Sequence, residues 1–163
     1  MSNTVRPLER IFSSPVELLD KVEKDKKALE KALASCDDDE ILEALFNFSV
    51  GCYHLVDWVK AYHPALKKKV YKLLNQNKYI RACRDLCNAS KHINIDLQSR
   101  AYKDHPAVIN DVEQSATGST IASPVPPYRL KIQFEDGERS KAENVIEQAF
   151  EAWKTFFHEN NIS

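Results

Sequence analysis

ILEALFNFSVGCYHLVDWVKAY, residues 41 to 62, decides the fold. Ile41, Leu45, Phe48, Cys52, Leu55, Val59 and Tyr62 recur every three or four residues, which traces one face of an α-helix. Leu42, Phe46, Val50, Tyr53 and Trp58 add apolar surface on its other sides. A helix that is apolar around most of its circumference belongs in the middle of a bundle. Gly51 would let a neighbouring helix come close. His63-Pro64 ends the segment, because a residue before proline avoids helical angles.

Working outward, Ser14-Pro15-Val16-Glu17 predicts a helix start, with a capping serine, a proline in the first turn and a glutamate three residues on. Leu18, Leu19, Val22, Leu29, Ala32 and Leu33 follow at helical spacing. Residues 1–13 are expected to form an N-terminal arm. Downstream, a third helix is expected over 64–75, with Leu66, Val70, Leu73 and Leu74 inward and Lys67, Lys68, Lys69 and Lys72 mostly outward. Asn77 is placed to cap a fourth helix over about 78–93. Periodicity then fades, and a flexible loop is expected over 113–127, which contains SATGSTIASPVPP. Tyr128, Leu130, Ile132 and Phe134 alternate with polar residues, as a strand does, and Asp136-Gly137 is a turn signal. The strand needs a partner, expected within 95–112. Ser140-Lys141-Ala142-Glu143 resembles a second capping box, before a last helix with Val145, Ile146, Ala149, Phe150, Trp153, Phe156 and Phe157 on one face. The fold class expected is mainly α: a single-domain helical bundle over 1–163, with about five helices and a small β element before the last one.

The 163 residues suit one core, and three glycines are few for a turn-rich β fold. No run nears the ~20 apolar residues that span a membrane, and MSNTVRPLERIF lacks a signal-peptide stretch, so a cytoplasmic protein without membrane association is expected. Cys36, Cys52, Cys83 and Cys87 are then expected as free thiols, mostly buried, and neither a metal nor another cofactor is expected. Net charge is −1 but uneven. Residues 1–59 carry 7 basic and 12 acidic side chains, residues 60–103 carry 11 and 2, and residues 104–163 carry 5 and 10. The basic third would attract a polyanion unless acidic neighbours in the fold neutralise it.

Within that third lies RACRDLCNASKHIN, residues 81 to 94. On a helix at ~100° per residue, Tyr79, Ala82, Cys83, Leu86 and Cys87 share a core face. Arg81, Arg84, Asp85, Asn88, Lys91 and His92 fall opposite, so the cysteines and the histidine point apart. A histidine, two arginines and an amide suit metal-free phosphodiester chemistry, since histidine moves a proton and arginine steadies charge on phosphorus. A solvated helix face explains the same pattern.

At CNASKH, residues 87–92, the chain resembles the HEPN superfamily of small helical-bundle domains in prokaryotic toxin, defence and RNA-processing systems. That family sets an arginine, a polar residue, three residues and a histidine on a late helix. Asn88 and His92 match, whereas Cys87 stands at the arginine position. The resemblance implies a nucleic-acid- or partner-binding protein of a prokaryotic defence, toxin–antitoxin or phage-related system; active members of the family cut RNA without metal, and the cysteine at the arginine position favours a protein without catalysis. It also implies a homodimer, with RNA or a partner protein as the other binding partner. Arg81, Lys91, Lys67 and Lys68 would contact nucleic acid. The alternative is a metal-independent endoribonuclease acting across a dimer interface, with His92 as acid or base, Asn88 orienting, and Arg84 or Arg81 on the phosphate.

Overall fold

The computed structural model describes residues 11–35, 38–89, 109–116 and 128–163. At its centre runs α2, Asp38–Tyr62, which buries Ile41, Leu45, Phe48, Cys52, Leu55 and Val59 of the stripe expected from the sequence, while Tyr62, its last member, is half-buried. Helix α1, Pro15–Ser35, packs along it through Leu18, Val22, Leu29, Ala32 and Leu33. The two helices come close at Gly51, where an added Cβ would lie 2.9 Å from Cγ2 of Val22.

The first capping box forms with a shift. The Ser14 hydroxyl accepts the Glu17 N–H at 3.3 Å, but the Glu17 carboxylate accepts from the N–H and hydroxyl of Ser13, at 2.6 and 2.7 Å. Residues 11–13 are therefore not part of a loose arm. Ser13 is tied into the helix cap, and the Phe12 ring meets Trp58 edge-on at 6.1 Å. The rest of the expected arm lies outside the described residues.

After α2 the chain turns through a 3-10 segment, Pro64–Leu66, into α3, Lys67–Gln76. Asn77 caps α4, Lys78–Ala89, by accepting the N–H groups of Tyr79 and Ile80, both at 3.0 Å. The part of the fourth helix expected over 90–93 lies outside the described residues.

The β element is a three-stranded antiparallel sheet in the order β1 (Ile109–Ala116), β2 (Tyr128–Phe134), β3 (Arg139–Lys141). The expected loop over 113–127 is corrected in part. Glu113 to Ala116 belong to β1 and pair with Lys131 to Tyr128, because the seven-residue β2 needs a partner along its whole length. Residues 117–127 lie outside the described residues. Asp136-Gly137 makes the turn into β3, with Gly137 at φ 84°, a conformation that favours glycine.

The second capping box does not form. Ser140 sits in β3 opposite Ile132 with its side chain inward, and its hydroxyl accepts from Asn144 Nδ2 at 2.8 Å. The last helix, α5 (Ala142–Glu159), starts one residue later, at Lys141 without a side-chain cap. It ends in a Schellman turn: Asn161 adopts φ 52°, Ile162 N–H bonds Phe157 C=O at 3.0 Å, and the Ile162 side chain is buried. The sequence-derived architecture is thus observed: among the described residues, a mainly helical bundle of five α-helices with a small sheet before the last. One large core spans all five helices, with Trp153 fully buried in it, and a smaller one joins Ala82 to Ile132, Phe134 and Val145.

Two substitutions test this packing. Gly51→Ala gains about 1 kcal/mol of helix propensity, but it overpacks against Val22, which is fully buried, at a cost of about 1–3 kcal/mol. A net loss near 1 kcal/mol is expected in urea unfolding, and a gain would contradict the close α1–α2 approach. Asn77→Ala strands two helix N–H groups and should cost about 1 kcal/mol in the same assay; no loss would mean that water replaces the cap freely.

Candidate functional site

Helix α4 carries the polar stretch, and it has no outward side. From Lys78 to Asn88 every side chain is buried or half-buried. Cys83 faces α2, while Ala82 faces the sheet and α5 through the smaller core. A helix covered from two directions leaves only a narrow strip for polar residues. Arg81 and Asn88 occupy the middle of that strip and are half-buried. Arg84 and Asp85, at its two margins, are taken inside.

This corrects the expectation that Arg84 and Asp85 face away from the interior. Arg84 is 3% exposed and Asp85 2%. Neighbours in sequence point ~100° apart on a helix, so the Arg84 side chain folds across to reach its partner. Its Nε and one terminal nitrogen both donate to one Asp85 oxygen, at 2.9 and 2.7 Å. Arg84 also lies within electrostatic reach of Tyr53 on α2. Burial first, and then the Asp57 carboxylate, push the Tyr53 phenol up, and the Arg84 guanidinium opposes them. Arg84 is therefore placed as an internal charge, closed from water and paired with Asp85.

Arg81 is placed differently. It is partly exposed, and its Nε is shielded from water without a hydrogen-bond partner. Asp85, one turn away, accepts from Arg84 instead. Of the two arginines that could bind an anion, Arg81 is the accessible one. His92 and Lys91 lie outside the described residues, so the Asn88–His92 pairing rests on sequence alone.

The basic third divides into engaged and unengaged cations. Lys60 pairs with Asp57 and donates to the Tyr71 hydroxyl at 3.2 Å. Lys78 pairs with Glu138 in the β2–β3 turn, and Lys69 donates to the Asn160 side chain at 2.8 Å. Lys67, Lys68 and Lys72 on α3 are exposed, and no carboxylate pairs with them among the described residues. Lys68 and Lys72 are four apart, so they stand on one face. The sequence marked this lysine run without distinguishing its free members from its paired ones. A cleft of roughly 280 Å³ between α1 and α2 is lined by carboxylates (Asp25, Glu40, Glu43), Lys31, Asn47 and alanines, and Asp25 is paired with Lys21.

Cys52, Cys83 and Cys87 are buried and not joined in disulfides, as expected of structural thiols, and Cys36 lies outside the described residues. The adjacent Cys52 thiol, and then burial, push the Cys83 thiol well above its ordinary value, which makes it a poor nucleophile. Among the described residues no three His, Cys, Asp or Glu side chains converge as a metal site requires, and no helix is long and apolar enough to cross a membrane. No protein-family model, curated protein or solved structure matches the chain.

The buried pair sets up a two-part test. Asp85→Ala leaves the Arg84 charge sealed without its carboxylate and should cost about 3–5 kcal/mol in chemical denaturation. Changing both residues together, Arg84→Met with Asp85→Leu, should cost less than Asp85→Ala alone. Additive losses would show that the two groups do not act as a pair.

Proposed function

We propose that this chain is a HEPN-like nucleic-acid-binding protein that holds a phosphate backbone on α3 and on the exposed strip of α4, without catalysing its cleavage. The observation that carries the reading is the set of exposed lysines, Lys67, Lys68 and Lys72, with no carboxylate partner among the described residues. Acidic neighbours neutralise Lys60 and Lys78 but leave this set available. Arg81 adds a partly exposed guanidinium on the next helix. Phosphate contacts of this kind supply affinity without sequence readout, through release of counterions.

The endoribonuclease alternative is weakened by the fate of Arg84. An arginine paired with Asp85 and closed from water cannot steady a phosphorus transition state unless the helix opens. Arg81 could still act, and Asn88 remains half-exposed, but Cys87, at the family's arginine position, is fully buried. A partner-protein module has an observation of its own. Leu42 and Phe46, one turn apart on α2, are 48% and 42% exposed, a small apolar patch that a second copy or another protein could cover.

Nucleic-acid binding measured against salt tests the reading. Log affinity should fall linearly with log salt, and Lys67→Gln, Lys68→Gln and Lys72→Gln together should reduce the slope by about 2 on a single strand, at ~0.7 per phosphate contact. Folding should be unaffected, since all three side chains are exposed. An unchanged slope would place the phosphate contacts elsewhere, and no binding at low salt would favour the partner-protein module.

A further inference from the structure

Among the described residues, the large apolar side chains that lie exposed are Ile11, Leu42 and Phe46, and the last two stand one turn apart on α2. Val50, a further turn on, is half-buried and extends the strip. The strip carries a charge of its own. Asp39 lies three residues before Leu42, and Glu43 three before Phe46, so each carboxylate is a surface neighbour of an apolar side chain. Both acids are exposed, and no cation pairs with either among the described residues. On its α1 side the strip borders the cleft between the two helices, because Glu43 and Asn47 line that cleft and directly follow Leu42 and Phe46 in the chain. The cleft's other charges are Asp25, which Lys21 neutralises, Glu40, which accepts from the Ser35 hydroxyl, and Lys31.

We infer that this strip of α2 is a docking surface for a basic amphipathic helix of a partner protein. Apolar side chains at i and i+4 match the anchor spacing of a second helix, which lays its own apolar face on them. The acids select the partner. A second copy docked about a twofold axis would set the strip against itself. Asp39 and Glu43 would then face the same carboxylates of the other chain, and like charges in contact disfavour that arrangement. A helix with lysines or arginines beside its apolar face covers Leu42 and Phe46 and meets both carboxylates with opposite charge. Lys31, on the α1 wall of the cleft, repels such cations, so they belong over α2. The inference stands apart from nucleic-acid binding, since none of these residues is on α3 or α4.

The probe is a labelled lysine–leucine peptide patterned as an amphipathic helix. Its controls are a scrambled peptide of the same composition and a glutamate–leucine helix. Fluorescence anisotropy follows binding of each to the full chain. The basic helix should bind more tightly than either control. Leu42→Ser with Phe46→Ser should weaken it about tenfold or more, since each side chain has roughly half of its burial still to gain. Thermal unfolding should stay near wild type, because both positions are exposed. Asp39→Asn with Glu43→Gln should also weaken the basic helix and flatten its dependence on salt, a readout that holds even if the serine variant folds poorly. A scrambled peptide that binds equally, a serine variant that binds as wild type, or an unchanged salt dependence in the amide variant overturns the surface. So does a wild-type dimer that the serine variant converts to monomer in sedimentation, because a second copy would then be the occupant.

Discussion

Arg84 and Asp85 are adjacent in the sequence, charged, and closed from water in the most enclosed helix of the bundle. Removing two charges from water costs several kcal/mol per ion, and the cost is offset only if each charge finds its opposite at short range with good hydrogen bonds. The two donations from the Arg84 guanidinium to one Asp85 oxygen meet that condition. The rest of the arrangement around α4 follows from this constraint. The helix can press against α2 through Cys83 and against the sheet through Ala82 only because the charges at the margins of its polar strip satisfy each other. What remains for the surface is the middle of the strip, Arg81 and Asn88.

The same selection operates across the basic third. Positive charge is concentrated there in the sequence, but the fold brings Asp57, Asp85 and Glu138 to three of its cations. Those ion pairs are local, and among the described residues of the basic third they leave Lys67, Lys68 and Lys72 on α3 exposed without a carboxylate partner. A polyanion approaching this surface would meet Lys67, Lys68 and Lys72 without a carboxylate beside them.

Most of the bundle was legible because it depends on period and punctuation. The stripe from Ile41 to Val59, the break at His63-Pro64 and the cap at Asn77 each carry their own local physics, and each is where the sequence puts it. The errors came where tertiary contacts override local signals. Ser140 has the spacing of a capping serine, but β2 recruits it into a strand opposite Ile132. Glu113 to Ala116 lack alternation, yet they pair because β2 runs long enough to need them. Arg84 was misplaced because a helical wheel assigns a polar residue to solvent by its angle and cannot know how many neighbours surround the helix. Adjacent opposite charges on a helix that also carries two cysteines and several apolar residues were the available hint of a buried pair.

If α4 meets a phosphate backbone as proposed, the contact falls to Arg81 and not to Arg84. The Nε–Hε resonances of Arg81 and Arg84, followed by NMR as a short single-stranded oligonucleotide is added at low salt, decide it in one titration. The Arg81 signal should move progressively with ligand while the Arg84 signal keeps its shift and its slow exchange with water, as a group sealed against Asp85 must. An Arg84 signal that moves while Arg81 stays still would contradict the account, because it would place the phosphate where the structure places an aspartate.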